Sequence, residues 1–110
     1  MVGENPSSMD LTFAALSDPT RRAILARLAG GDASVGEVAE PFDMSLPAVT
    51  KHLNVLENAG LITRRREGRT RRCHLSPQPM QEAAEWISTT RGFWEGQLDR
   101  LSAYLERQRK

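Results

Sequence analysis

The chain has 110 residues, 39% of them hydrophobic and 26% charged, with a formal net charge of +1, one cysteine and two histidines. This is the size of one domain with a single core, too small for a catalytic domain plus a second lobe, and the composition is that of a folded chain rather than a disordered one. One cysteine excludes an intrachain disulfide and fits a reducing compartment. The start lacks a signal-like basic and apolar run, and no apolar stretch approaches the roughly 18 residues a membrane span needs, so a soluble, cytoplasmic protein is expected.

Residues 1–9, with Gly3, Asn5, Pro6, Ser7 and Ser8, read as a loose tail. Asp10 is the expected N-cap of a first helix carrying Leu11, Phe13, Ala14, Ala15 and Leu16. Asp18 caps a second, with Pro19 in its first position and Ile24, Leu25 and Leu28 as its apolar stripe; Gly30-Gly31 stops it. Ser34-Val35-Gly36-Glu37 has capping-box spacing and opens a third helix. Val35, Val38, Ala39 and Phe42 face inward there, and Pro41 makes it short or irregular at its end.

Ser45 caps a fourth helix over residues 45–58, where Val49, Leu53 and Leu56 repeat at i, i+4, i+7 and bury one side. Ala59-Gly60 ends it. Leu61 to Arg66 and Arg71 to Leu75 then read as a two-stranded hairpin turning at Glu67-Gly68. From Pro77 onward the chain is helical, with Met80, Ala84, Ile87, Arg91, Trp94, Leu98, Leu101 and Leu105 at heptad spacing. Gly92 and Gly96 weaken that helix, so a break or bend near Ser88–Gly92 is expected.

Six of the nine residues 64–72 are arginine, although the whole chain carries a net charge of only +1. An arginine run by itself is most often a solvated face, and an amphipathic helix by itself is common on any surface. A basic hairpin placed directly after two short helices is far more specific: one helix enters a groove and the ribbon holds phosphates beside it. Opposite Val49, Leu53 and Leu56, the fourth helix carries Pro47, Ala48, Thr50, Lys51 and Asn54. Thr50 and Asn54 donate and accept, Lys51 reaches guanine acceptors or a phosphate, Pro47 and Ala48 suit a thymine methyl, and Ser45 suits a phosphate at the helix start.

The segments LSDPTRRAILARLA from Leu16, SVGEVAE, SLPAVTKHLNVLENAGLI and REGRTRRCHLSP resemble, in that order, the ArsR-type winged helix-turn-helix transcriptional repressors over about residues 10–77. The resemblance implies a mainly α fold with a small β-hairpin, dimerising through its N- and C-terminal helices. The domain division it suggests is a tail over 1–9, a DNA-binding domain over 10–77 and a dimerisation helix region over 78–110. It implies a homodimer on a double-stranded, palindromic operator, with Pro47, Thr50 and Lys51 on bases and a wing over Arg66 to Arg71, Arg69 included. The dimer contacts would fall on Leu11, Ala14, Ile87, Trp94, Leu98, Leu101 and Leu105.

The chain departs from the family's metal sensors, with Ser34, Gly36 and Ala39 where their thiol motif lies and no histidine after His74. One cysteine and two histidines cannot close a tetrahedral site, so no metal or cofactor is expected, and the sequence names no inducer. Cys73 shares a strand face with Leu75 and is expected to pack against the body rather than act as a redox switch; His74 points to the opposite face. His52 is expected to pack or touch a phosphate. No paired carboxylates, triad or phosphate loop suggests an enzyme. The alternative, from another class, is a winged-helix interaction module binding an acidic or helical protein without DNA.

Overall fold

The computed structural model describes residues 7–109. In chain order the elements are α1 (Ser8–Leu16), α2 (Pro19–Ala29), β1 (Ala33–Ser34), α3 (Val35–Ala39), α4 (Leu46–Asn58), β2 (Ile62–Glu67), β3 (Thr70–Leu75) and α5 (Gln78–Gln108). The fold is therefore mainly α with a hairpin, as the patterning indicates. The hairpin is extended by β1 into a three-stranded antiparallel sheet of order β1-β3-β2, with Ala33 opposite Cys73 and Ser34 opposite Arg72. β1 is two residues long and pairs across a long sequence gap, so no periodicity announces it.

Three expectations are corrected. The cap of α1 is Ser7, whose hydroxyl accepts from the Asp10 backbone N–H at 3.1 Å while the Asp10 carboxylate accepts from the Ser7 N–H at 3.2 Å. Asp10 is thus the third helical residue of a capping box, not the cap, and Ser8 and Met9 belong to the helix rather than to a tail; the remainder of that tail, residues 1–6, lies outside the described residues. The hairpin turns at Gly68-Arg69, one residue later than expected, because Glu67 pairs with Thr70. A turn centred on Glu67-Gly68 would push glutamate toward positive φ, whereas Gly68 takes a φ of +64° freely. Finally, α5 runs unbroken through Gly92 and Gly96. Nothing packs within contact of either glycine to drive a kink, and the penalty of about 1 kcal/mol for each is small beside an intact hydrogen-bond ladder.

The other helix starts hold. Asp18 caps α2 with Pro19 in its first turn, Ser34 and Glu37 form a capping box on α3, and Ser45 caps α4. Each pins the N-terminus of a short helix that would be marginal alone. Ile24 and Leu28 of α2, Val38 of α3, Val49, Leu53 and Leu56 of α4, and Leu61, Ile62 and Cys73 of the hairpin form one buried cluster. At about 25 cal/mol per Å² of apolar surface, this burial is the main term setting α4 against the sheet.

α5 is different in kind. Its 31 residues span about 46 Å, and of them only Ala83 is buried. It meets α1 at its first half, where Phe13 and Trp86 stack edge to face at 5.9 Å. Its second half leaves the body, which explains a radius of gyration of 19.3 Å where a compact chain of this length has about 13 Å.

Candidate nucleic-acid interface

Two elements present the groups singled out from the sequence. On α4, burial of Val49, Leu53 and Leu56 turns the opposite stripe outward: Pro47, Lys51 and Asn54 are exposed, and Ala48 and Thr50 are half-buried at its edges. At the helix start the Ser45 hydroxyl oxygen accepts from the Ala48 N–H at 3.2 Å. Pro47 has no N–H, so this end offers a ligand the Leu46 N–H and the Ser45 hydroxyl proton, fewer donors than an open helix N-terminus.

The strand parity of the wing sorts its arginines. Ile62, Arg64 and Arg66 of β2 share a face with Leu75, Cys73 and Arg71 of β3, since each faces its partner across the ladder. Ile62 and Cys73 lie in the core, Arg64 lies over α4, and Arg66 and Arg71 continue the same face beyond the body. Arg65 and Arg72 stand opposite each other on the outer face with Glu67, Thr70 and His74. There Arg72 is partly neutralised: its Nε is 3.6 Å from Glu67 and its Nη2 donates to the Asp32 carbonyl at 3.3 Å. His74 Nδ1 lies 2.6 Å from Asp32.

Arg64, counted in the sequence only as one of a run, is structural. Its side chain is 12% exposed, its Nε and Nη2 donate to Glu57 Oε1 at 3.1 and 2.6 Å, and its backbone N–H donates to Glu57 Oε2 at 3.2 Å. Its Nη2 also donates to Asn54 Oδ1 at 2.6 Å. The side-chain hydrogen bonds from Arg64 hold the Glu57 carboxyl below the usual glutamate range, against its desolvation. This clamp fixes β2 to the second half of α4. The alternation Ile62, Arg64, Arg66 was the signal that Arg64 belongs to the inner face; its partner on α4 had no sequence signal of its own.

Among the described residues, then, Arg65, Arg66, Arg69 and Arg71 make no salt bridge. Arg66, Arg69 and Arg71, the three singled out, stand at the tip and inner face with Thr50. Ser34, Gly36, Thr50, Arg64, Arg69 and Arg71 line one groove between α3, α4 and the wing. Arg66 and Arg71 stand directly opposite each other, a like-charge pair that costs the ladder some stability.

The remaining reactive groups are accounted for by packing. Cys73 is fully buried, and burial pushes its thiol above the usual range despite the Arg64 charge nearby. His52 Nδ1 lies 3.3 Å from Arg21 Nη1 and 3.8 Å from Asp18, while Arg21 Nε donates to the Ala15 carbonyl at 2.8 Å. His52 thus ties α4 to the α1–α2 corner. Among the described residues no group of three or more His, Cys, Asp or Glu side chains is placed to hold a metal, and no helix is long and apolar enough to cross a membrane.

Of the residues expected at a dimer contact, Leu11 is half-buried against its own core, and Ala14 is exposed. Ile87, Trp94, Leu98, Leu101 and Leu105 are 46–60% exposed along α5.

Comparisons with known proteins identify the family. A helix-turn-helix domain family matches residues 16–65. The transcriptional repressor SdpR of Bacillus subtilis (strain 168) is 40% identical over 79 residues, covering 72% of this chain and 88% of that protein. A solved ArsR family transcriptional regulator superposes with a TM-score of 0.76 at 42% identity, covering 81% of this chain and 98% of that one. An ArsR-like regulator from Rhodococcus sp. RHA1 gives 0.72 at 31% identity, covering 86% and 89%. Sequence, fold and basic wing converge: the chain belongs to the ArsR family of winged helix-turn-helix, DNA-binding transcriptional regulators, whose members act on DNA as regulators and not as enzymes.

Proposed function

We propose that the protein is a homodimeric repressor that binds an inverted-repeat operator, with α4 of each protomer in a major groove and the wing on the adjacent backbone or minor groove. The observation that carries this is the placement of Thr50, Lys51 and Asn54 on the outward stripe of α4, beside a wing whose Arg66, Arg69 and Arg71 make no salt bridge among the described residues. Residues 10–77 then form the DNA-binding body and residues 78–110 the dimerisation region. Ser45 contacts a phosphate, Pro47, Ala48, Thr50, Lys51 and Asn54 face bases, and Arg66, Arg69 and Arg71 hold the backbone.

Dimerisation is supported by the apolar seam of α5, whose C-terminal half is left open among the described residues: Trp94 is 57% and Leu98 60% exposed. A contiguous apolar stripe of that length is costly to leave in water. A second copy supplies the same stripe by two-fold symmetry. α1 lies beside the base of α5, so Leu11 and Ala14 fall at the edge of the same contact. The protein works without a resident transition metal, because Cys73 is sealed in the core and His52 and His74 are engaged with Asp18 and Asp32.

Selection from a random duplex pool, followed by footprinting, tests the reading. The expected site is an inverted repeat with half-sites about 34–36 Å apart and two chains bound. An asymmetric site, or one chain per site, would contradict it. Stoichiometric zinc binding that releases the duplex would contradict the metal-independent part alone.

A further inference from the structure

Asn54 is exposed on the outward stripe of α4, but its amide is not free to turn. Arg64 Nη2 lies 2.6 Å from Asn54 Oδ1. A guanidinium has donors only, so the atom facing it must be the amide oxygen; rotating the amide would set two N–H donors against each other. Arg64 is itself immobilised, with three hydrogen bonds to Glu57 and a side chain 12% exposed. The chain from Glu57 through Arg64 to Asn54 therefore directs the Nδ2 amine of Asn54 outward and uses its acceptor inward.

An unconstrained asparagine reads adenine at two points, donating to N7 and accepting from the N6 amine. Here Arg64 occupies one lone pair of Oδ1 and pins that oxygen toward the wing, which leaves Nδ2 as the group turned outward. We infer that Arg64 is a specificity-determining residue that acts through Asn54, restricting it to base edges that present an acceptor: guanine O6 or N7, adenine N7, or thymine O4. Arg64 touches no base in this scheme; it sets which hydrogen-bonding polarity α4 shows the groove. The inference rests on the proposal that this stripe of α4 faces base edges.

The test is the base preference of the full-length protein on a panel of duplexes carrying every substitution of the selected operator. The wild type should prefer an acceptor edge at one base pair in each half-site, and Asn54→Ala should lose about 5- to 150-fold discrimination there. Asn54→Asp keeps an oxygen on Arg64 and turns a second oxygen outward, so the preference should move to cytosine, whose N4 amine donates. If the base is adenine, removing its N6 amine should leave wild-type affinity unchanged. The double variant Glu57→Leu, Arg64→Leu frees the amide and should make the N6 amine matter; if that variant does not fold, Asn54→Asp carries the test. A loss of about fivefold or more on removing the N6 amine from the wild-type site, abolished by Asn54→Ala, would show two-point reading and overturn the inference. So would an Asn54→Ala variant with unchanged base preference, while Thr50→Ala or Lys51→Ala alters it; that outcome leaves the placement of α4 standing. If none of the three changes discrimination, the placement of α4 fails and the inference fails with it.

Discussion

Replacing Arg71 by glutamine should move stability and DNA affinity in opposite directions. Arg71 stands directly across the ladder from Arg66, and neither has an acidic partner among the described residues. Like charges facing each other in an antiparallel pair are destabilising by roughly 0.2–1 kcal/mol, so Arg71→Gln should raise the denaturant midpoint of the free protein by that order. In the proposed dimeric complex the same change removes one phosphate contact per protomer, two per operator. At about 0.9 of slope per contact, the plot of log affinity against log salt should flatten by about 1.8 units. Between about 50 and 200 mM salt, the fall in affinity then shrinks roughly twelvefold relative to the wild type. Arg72→Gln is the control: it lies on the outer face with Glu67 3.6 Å from its Nε, and its removal should leave the slope within a few tenths of a unit. Fluorescence anisotropy on one labelled duplex over a salt series reads both variants. Equal slopes for the two, or a lower midpoint for Arg71→Gln, would refute the sorting of the wing by strand face.

Further outcomes follow from the same contacts. Glu57 has its carboxyl depressed by Arg64, so the stabilisation it contributes is complete above the usual glutamate pKa and is lost as pH falls through its lower folded value; Glu57→Gln should unfold more easily than wild type at neutral pH, with the difference closing in acid. Cys73 is buried and its thiol raised, so an alkylating reagent should label it far more slowly in the native protein than in urea; equal rates would show the strand to be open. Leu98→Asp places a charge in the exposed seam of α5 and should yield a folded monomer in sedimentation at micromolar concentration, with operator affinity reduced. A wild type already monomeric there would remove the basis for the dimer.

What the sequence showed and what it hid divide along physical lines. The stops, caps and apolar stripes of α2, α3 and α4 are local signals, and Asp18, Ser34, Ser45 and Gly60 sit where those signals put them. Two errors came from local signals that compete. Asp10 is as good a cap as Ser7, and only the reciprocal box decides between them; Glu67-Gly68 looks like a turn until the ladder register assigns Gly68 its first central position. β1 and the Arg64–Glu57–Asn54 clamp are non-local, created only when α4 and the sheet pack, and no spacing along the chain records them. The seam of α5 was legible as a pattern, yet the one residue of α5 buried in the protomer, Ala83, lies off it. That is the expected result if the seam serves a partner and the flank serves the body.

In the proposed complex α4 discriminates sequence while the wing supplies affinity. The direct measurement is the ratio of operator to random-duplex affinity at fixed salt for Thr50→Ala, Lys51→Ala and Arg69→Gln, each checked for fold by circular dichroism. The two α4 variants should lower the ratio by about 5- to 150-fold, and Arg69→Gln should weaken both duplexes while leaving the ratio close to that of the wild type. A ratio that falls with the wing variant and survives both α4 variants would contradict the assignment of the two surfaces.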